Sequence, residues 1–311
     1  MTSDPLVHEL IEAGAARLEE TIRTETPGLA EPALAWIRSL TLTNRLADYF
    51  HHPLRFPMLR LPGWAVEHEA PNHRALFADT IYSTMAGYYH IRLLDDLVDR
   101  QTGAPLELLP LAALFHTEFQ SAYLPHFPAA SPFWPVFRHR WLGLADATVA
   151  RPAPGPDQAA ALFARATATV GAVVIPLRAL TLGMGVPERF DQWEPVVLEL
   201  ARIDQLMDDV LDWQPDLARS QPNLLLADGA ERAQPGESSA AWVVREGYRR
   251  GLAAVRKRLN ELTPAATALG SAPLLGFLAG RRAAADALED ETSAGLAQLA
   301  SLAVWFDPPS A

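Results

Sequence analysis

Apolar residues recur every three to four positions along almost the whole chain of 311 residues, the spacing of helices with one buried face. The period-two alternation of half-buried strands does not stand out anywhere. The pattern predicts helices over residues 5–25, 31–51, 71–102, 105–124, 132–150, 156–183, 188–214, 237–262 and 264–303, the last broken near Gly270 to Pro273. Breaks fall at Pro53, Pro57 and Pro62, at Pro125 to Pro132, at Arg151 to Pro156 and in a loop from Ala230 to Ser238. None has the length of a flexible linker, and no repeat of fixed period occurs. The expectation is an all-α chain folded as one helical bundle over residues 1–311.

Composition narrows the function classes. The net charge of −11 argues against a nucleic-acid surface, which needs a basic face. It leaves an anionic substrate open, because bound divalent cations reverse the local sign. The basic residues are almost all arginine, with Lys257 the only lysine. With no cysteine, disulfides, thiolate catalysis and cysteine-bound zinc are excluded. Residues 1–24 are acidic and amphipathic, without the basic start and apolar stretch of a signal peptide. No run reaches the roughly 18 uninterrupted apolar residues of a membrane span. A soluble, cytoplasmic protein is expected.

Two aspartate clusters carry the candidate chemistry. Asp95, Asp96 and Asp99 form the first; Asp208, Asp209 and Asp212 repeat the same DDxxD spacing 113 residues later. Offsets of three and four allow the carboxylates of each cluster to share a helix face. Like charges so placed destabilise a helix by a few tenths of a kcal/mol per pair. Magnesium, which prefers carboxylate oxygen and keeps positions open for water and phosphate, supplies the compensation. A solvated acidic face is the bland alternative. The 18 aspartates placed at random would give about 0.06 such motifs per chain, and two at roughly the 0.002 level. Both motifs also lie in apolar helices rather than among lysine and glutamate. A di-iron bundle would need Glu-x-x-His pairs, and His116, Glu118 and His126 do not make one.

With Gln205 three residues before the second motif, Trp213, Asp216 and Leu217 after it, and then Asn223 and Leu224, the chain resembles the trans-isoprenyl diphosphate synthase branch of the class I isoprenoid synthases. The resemblance covers roughly residues 55 to 225. It implies an isoprenoid-synthase bundle of antiparallel helices around a central apolar cavity. It further implies three Mg²⁺ ions gripping the diphosphate of a prenyl substrate. Asp95, Asp96 and Asp99 would ligate two ions; Asp208, and with it Asp212, the third. Asp95, Asp96 and Asp208 would be the catalytic residues. Asp209 would serve hydrogen bonding behind the metal, and Gln205 would point into the site. Arg165, followed by Thr167, stands where relatives carry a basic residue against the diphosphate, and Arg202 and Arg219 flank the second motif. Met85, Tyr88 and Tyr89 are candidate walls for a carbocation, which needs a dry, aromatic pocket; plain core packing is the alternative for each. His90 or Ile91 falls where the family limits chain length. Homodimerisation is a family expectation.

The chain also departs from that pattern. Chain-elongating relatives bind isopentenyl diphosphate in a second basic pocket, built from a Gly-Lys-Arg stretch and from an Arg-Arg pair after the first motif. Here only Arg55 and Arg60 stand near the former, and Arg100 alone follows Asp99. His73, Arg74 and Arg92 are residues that could rebuild such a pocket. The balance of these features points to terpene synthase chemistry, in which one allylic diphosphate is ionised and the cation cyclises or is quenched. The Asn-Asp-x-x-Ser-x-x-x-Glu motif typical of bacterial terpene cyclases is absent. Chain elongation by a prenyltransferase is the first alternative, and a non-catalytic regulatory subunit of an active synthase the second.

Overall fold

The computed structural model describes residues 5–41, 43, 45–52, 55–66, 70–98, 105–149 and 158–306. Among them helices form throughout and no strand occurs. Asp99 and Arg100 lie outside the described residues, as does the predicted break at 151–156.

The first helix shows why these segments coil. In α1 (Pro5–Glu25), Val7, Leu10, Ile11, Gly14, Ala15, Leu18 and Ile22 are buried, one stripe at helical spacing. The predicted helix over 31–51 is instead two, α2 (Ala30–Ser39) and α3 (Leu46–His51). Threonines cause the break. The Thr41 hydroxyl bonds back to the Arg38 carbonyl at 2.9 Å, and Thr43 Oγ1 donates to Asp48 Oδ2 at 2.7 Å. Such side-chain bonds compete with the helix ladder.

After the short α4 (Leu61–Ala65), which the prolines had hidden, comes α5 (Arg74–Val98), the helix of the first motif. The segment predicted over 105–124 is a 3₁₀ turn followed by α6 (Leu111–Ser121), and α7 (Phe133–Val149) follows it. The stretch predicted over 156–183 is interrupted. α8 (Gln158–Thr169) gives way to a 3₁₀ turn at Val170–Val173 before α9 (Val174–Gly183). Pro176 explains the interruption, because it offers no N–H to the carbonyl of Ala172 and crowds it.

α10 (Glu188–Leu211) carries the second motif. It ends at Asp212, where α11 (Trp213–Arg219) begins, and α12 (Leu224–Arg232) follows; the sequence pattern had indicated neither short helix. α13 (Ser239–Trp242) continues through a π turn at Val243–Gly247 into α14 (Tyr248–Ala268). α14 runs through Pro264 rather than stopping before it. The break lies at Gly270, whose φ of 69° only glycine adopts readily, and α15 (Ala272–Phe306) starts just beyond.

The packing resolves into two units. One comprises Met1–Ala150 with Thr167–Ala201, the other Arg151–Ala166 with Arg202–Ala311. In the first unit, α5 packs on α1 and α6, and α9 packs on α4 and α7. Its core is aromatic: Trp36, Phe77, Tyr82, Tyr89, Phe115 and Phe133 are buried, each burial contributing about 1.5–3 kcal/mol before entropy is counted. In the second unit, α14 and α15 pack as a helical hairpin, and α12 packs on α13. One stretch, Ala161–Gly183, is long and apolar enough by hydropathy to cross a membrane, although Arg165 and Arg178 interrupt it. Its α9 part buries Val174, Ile175, Leu177 and Leu180, as a core helix does.

Candidate metal and diphosphate site

The first motif closes α5. Phe77, Ile81, Met85, Tyr89 and Leu93 form a buried stripe four residues apart, and Asp96, seven residues after Tyr89, extends the same side. Asp96 is accordingly buried at 2% exposure, while Asp95 is half-buried. The Trp36 indole N–H donates to Asp96 Oδ2 at 3.0 Å. Arg92, one turn earlier, brings its guanidinium to 3.0 Å from Oδ1. That approach is an ion pair without hydrogen-bond alignment, so Oδ1 keeps an unsatisfied lone pair.

The second motif closes α10 and is built differently. Asp208 and Asp212 are exposed, one turn apart, and joined by a backbone bond from Asp212 N–H to the Asp208 carbonyl. Asp209 between them is buried. Its Oδ1 accepts from Gln205 Nε2 at 3.1 Å and its Oδ2 from the Leu224 backbone N–H at 3.0 Å. Gln205 thus donates its amide to the motif itself. Burial pushes the Asp209 carboxyl up to about 6, against the pull of these two hydrogen bonds.

Asn223 fastens this end of the helix. Its side-chain oxygen caps α12 by accepting from the N–H groups of Leu225 and Leu226, at 2.9 and 3.1 Å. Its amide donates to the Asp209 carbonyl at 2.7 Å and to Asp216 Oδ2 at 2.8 Å. Below the motif, Val210 is fully buried against α14. A Cβ at Gly251 would stand 2.4 Å from Val210 Cγ2, so this contact requires glycine.

The other candidates divide between the units. Arg165 and Arg202 are half-buried and Arg219 exposed, all in the second unit. Arg281, which the sequence pattern did not single out, forms an ion pair with Asp204, one turn before Asp208. In the first unit, Met85 is buried and faces Gly14 of α1. Tyr88 and Tyr89 pack with Tyr49 and Phe50 of α3, at ring distances of 4.8 Å for Tyr88–Tyr49 and 6.0 Å for Tyr89–Phe50. Desolvation raises both phenols above their usual range, and the Tyr89 hydroxyl is buried without a hydrogen-bond partner. Ile91 is half-buried, and His90 turns to α6, its Nδ1 2.9 Å from the Ala112 carbonyl.

Arg55, Arg60, Arg74 and Arg92, four of the residues considered for a second basic pocket, each meet a partner within the chain. Arg55 lies over the Tyr49 ring at 5.0 Å, Arg60 reaches the His51 carbonyl at 3.4 Å, Arg74 pairs with Glu9 and Arg92 with Asp96.

Neither aspartate motif gathers three ligand atoms within 4.8 Å among the described residues. Asp208 and Asp212, exposed and one turn apart, offer oxygen donors of the kind Mg²⁺ takes together with water and phosphate, and Asp99 lies outside the described residues. Comparison with family models, with curated proteins and with solved structures gave no match.

Proposed function

We propose that this chain is a class I isoprenoid synthase that ionises an allylic prenyl diphosphate in the presence of magnesium. The fold behind the proposal is the isoprenoid-synthase bundle with an apolar cavity. The observation that carries it is the design shared by the two DDxxD motifs. Each buries its middle aspartate on protein donors and leaves a flanking carboxylate more exposed. A solvated acidic face has no use for such anchoring.

Bound magnesium would neutralise the diphosphate and so make it a competent leaving group. Asp95 and Asp99 in the first motif, and Asp208 and Asp212 in the second, are the carboxylates that would hold the magnesium. Asp96, expected from the resemblance as a metal ligand and catalytic residue, is read instead as an anchored partner like Asp209, because its oxygens face Trp36 and Arg92, and Gln205 would act by holding Asp209. Arg165, Arg202 and Arg219 add positive charge against the departing diphosphate. The allylic C–O bond breaks with both electrons leaving on oxygen. The carbocation left behind then cyclises and loses a proton, or captures water. The engagement of Arg55, Arg60, Arg74 and Arg92 with protein partners favours this terpene synthase reading over chain elongation.

The test is incubation with Mg²⁺ and geranyl, farnesyl or geranylgeranyl diphosphate, with and without isopentenyl diphosphate, followed by mass spectrometry. A hydrocarbon or alcohol from one allylic diphosphate alone is expected. A longer diphosphate that forms only with isopentenyl diphosphate would make the chain a prenyltransferase instead. Asp95→Ala and Asp208→Ala should each lower turnover about a hundredfold or more with unchanged far-UV circular dichroism. Full activity in both variants would sink the metal assignment.

A further inference from the structure

Far along the chain from either aspartate motif, three metal-ligating side chains converge in the first unit. His8 and Glu12 lie one turn apart on α1, and His51 is the last residue of α3. One ligand atom from each lies within 4.8 Å of the other two, and among the described residues this is the group of three or more that does so. The His51 and His8 rings stack at 4.2 Å, and His51 Nε2 stands 3.2 Å from Glu12 Oε1. Ligands at about 2.1 Å from a tetrahedral ion stand roughly 3.4 Å from each other, so the His51–Glu12 pair is already spaced for shared coordination.

We infer that His8, Glu12 and His51 form a binding site for a transition-metal dication of the zinc class, separate from the magnesium carboxylates. Two imidazoles and one carboxylate suit Zn²⁺, Co²⁺ or Ni²⁺, whereas Mg²⁺ takes oxygen ligands almost exclusively. A set of two histidines and a glutamate leaves the fourth position of a tetrahedron open. His8 is exposed, so water reaches that position. The buried His51 Nδ1 has no hydrogen-bond partner, so the ring is not committed to another acceptor or donor on that side.

The surrounding charges set the character of the site. Arg45 holds Glu12 Oε2 at 2.6 Å, which turns Oε1 toward His51. Arg45 also lies 3.5 Å from Asp48 Oδ1, which offsets part of its charge. Arg60 donates to the His51 carbonyl at 3.4 Å. Two arginines nearby make this a site of moderate rather than extreme affinity. Occupancy ties α3 to α1 and thereby fixes Tyr49 and Phe50, which rest on Tyr88 of α5.

The experiment uses the full chain without a histidine tag, stripped with chelator and held in excess Mg²⁺. Titration with Co²⁺ should produce visible d–d absorption that saturates at one ion per chain and is displaced by Zn²⁺. His8→Ala should abolish the band, and since His8 is exposed the fold survives the change. His51→Gln should abolish it too. Asp95→Ala and Asp208→Ala should retain it, which separates this site from the proposed magnesium chemistry. Absence of stoichiometric absorption, its persistence in both histidine variants, or its loss in the aspartate variants would each overturn the assignment. Zn²⁺ should also raise the melting temperature of the wild-type chain but not of His8→Ala, as ligand linkage requires.

Discussion

The two aspartate motifs have one spacing and two architectures. At the end of α5, Asp96 is held by a tryptophan from sixty residues upstream and by an arginine on its own helix. At the end of α10, Asp209 is held by a neutral amide and by the first backbone N–H of α12, with Asn223 bracing both ends of the arrangement. The first solution combines a neutral long-range donor with a charge one turn away on the same helix. The second is local and uses the orphan donors of a helix N-terminus. Identical sequence spacing therefore does not imply identical response to mutation.

The largest expected difference lies in the middle aspartates. Asp96→Ala strands the Trp36 indole N–H in the core, a loss of about 1–3 kcal/mol. Arg92 is 38% exposed and can turn to water, so it adds little to that loss. Asp209→Asn keeps an oxygen for the Leu224 N–H, and the Gln205 amide can present its oxygen to the new NH₂ group. We expect a change within about 1 kcal/mol for that variant. Urea denaturation of the two variants measures the contrast. Equal losses would show that burial alone, rather than the kind of partner, governs both motifs.

How far this was readable beforehand depends on where the partner lies in sequence. The helical pattern and the two DDxxD motifs are visible in residue spacing alone. The burial of Asp96 was legible too, since it continues the stripe of Tyr89 and Leu93. Its partner Trp36 was not, because no local rule reports a contact across sixty residues. Asn223 before three leucines is a readable N-cap, yet α12 has only nine residues and Gly229 within it, so periodicity is too short to reveal it. The split of the predicted 31–51 helix came from threonine side chains bonding to the backbone and to a nearby carboxylate, which apolar spacing ignores. Pro264 misled in the other direction, since a single lost rung did not end a helix held by Leu252, Val255, Leu259 and Leu262.

Packing beneath the motifs gives a second contrast. Gly251→Ala drives a methyl to 2.4 Å from Val210 Cγ2, a stiff β-branched atom beside Asp209. Overpacking of this kind costs about 1–3 kcal/mol. Gly14→Ala on α1 meets Met85 Sδ at 3.3 Å, where a methionine chain adapts readily, and Ile81 Cγ2 at 3.4 Å, a full ångström farther than Val210 Cγ2 stands from Gly251. There the gain in helix propensity of about 0.5–1 kcal/mol offsets the contact, leaving stability near the wild-type value. Melting curves test both. A loss at Gly14 as large as that at Gly251 would mean that the wall before Asp95 is as rigid as the seat of the second motif.

The smallest effect concerns acid, and it separates the two units. All nine histidines lie at or before position 139, so histidine titration belongs to the first unit. His90, between the Ala112 carbonyl and the rings of His116 and Trp141, is half-buried one turn before Asp95. Desolvation lowers its pKa from the ordinary 6.5, outweighing the Ala112 hydrogen bond, and His116 pushes it further down. The unfolded chain therefore binds a proton at a pH where folded His90 stays neutral. By linkage, the stability this group contributes is complete above about pH 6.5 and is lost as the pH falls through the folded value. The slope is at most about 1.4 kcal/mol per pH unit, one proton's worth. His90→Asn keeps an N–H for the Ala112 carbonyl and removes the titration. Hydrogen exchange followed from pH 7 to 5 should show α5 and α6 opening more readily in the wild type than in His90→Asn, once intrinsic exchange rates are corrected. An unchanged slope in the variant would assign the acid response to other histidines, with His51 the next to replace because burial and His8 lower it in the same direction.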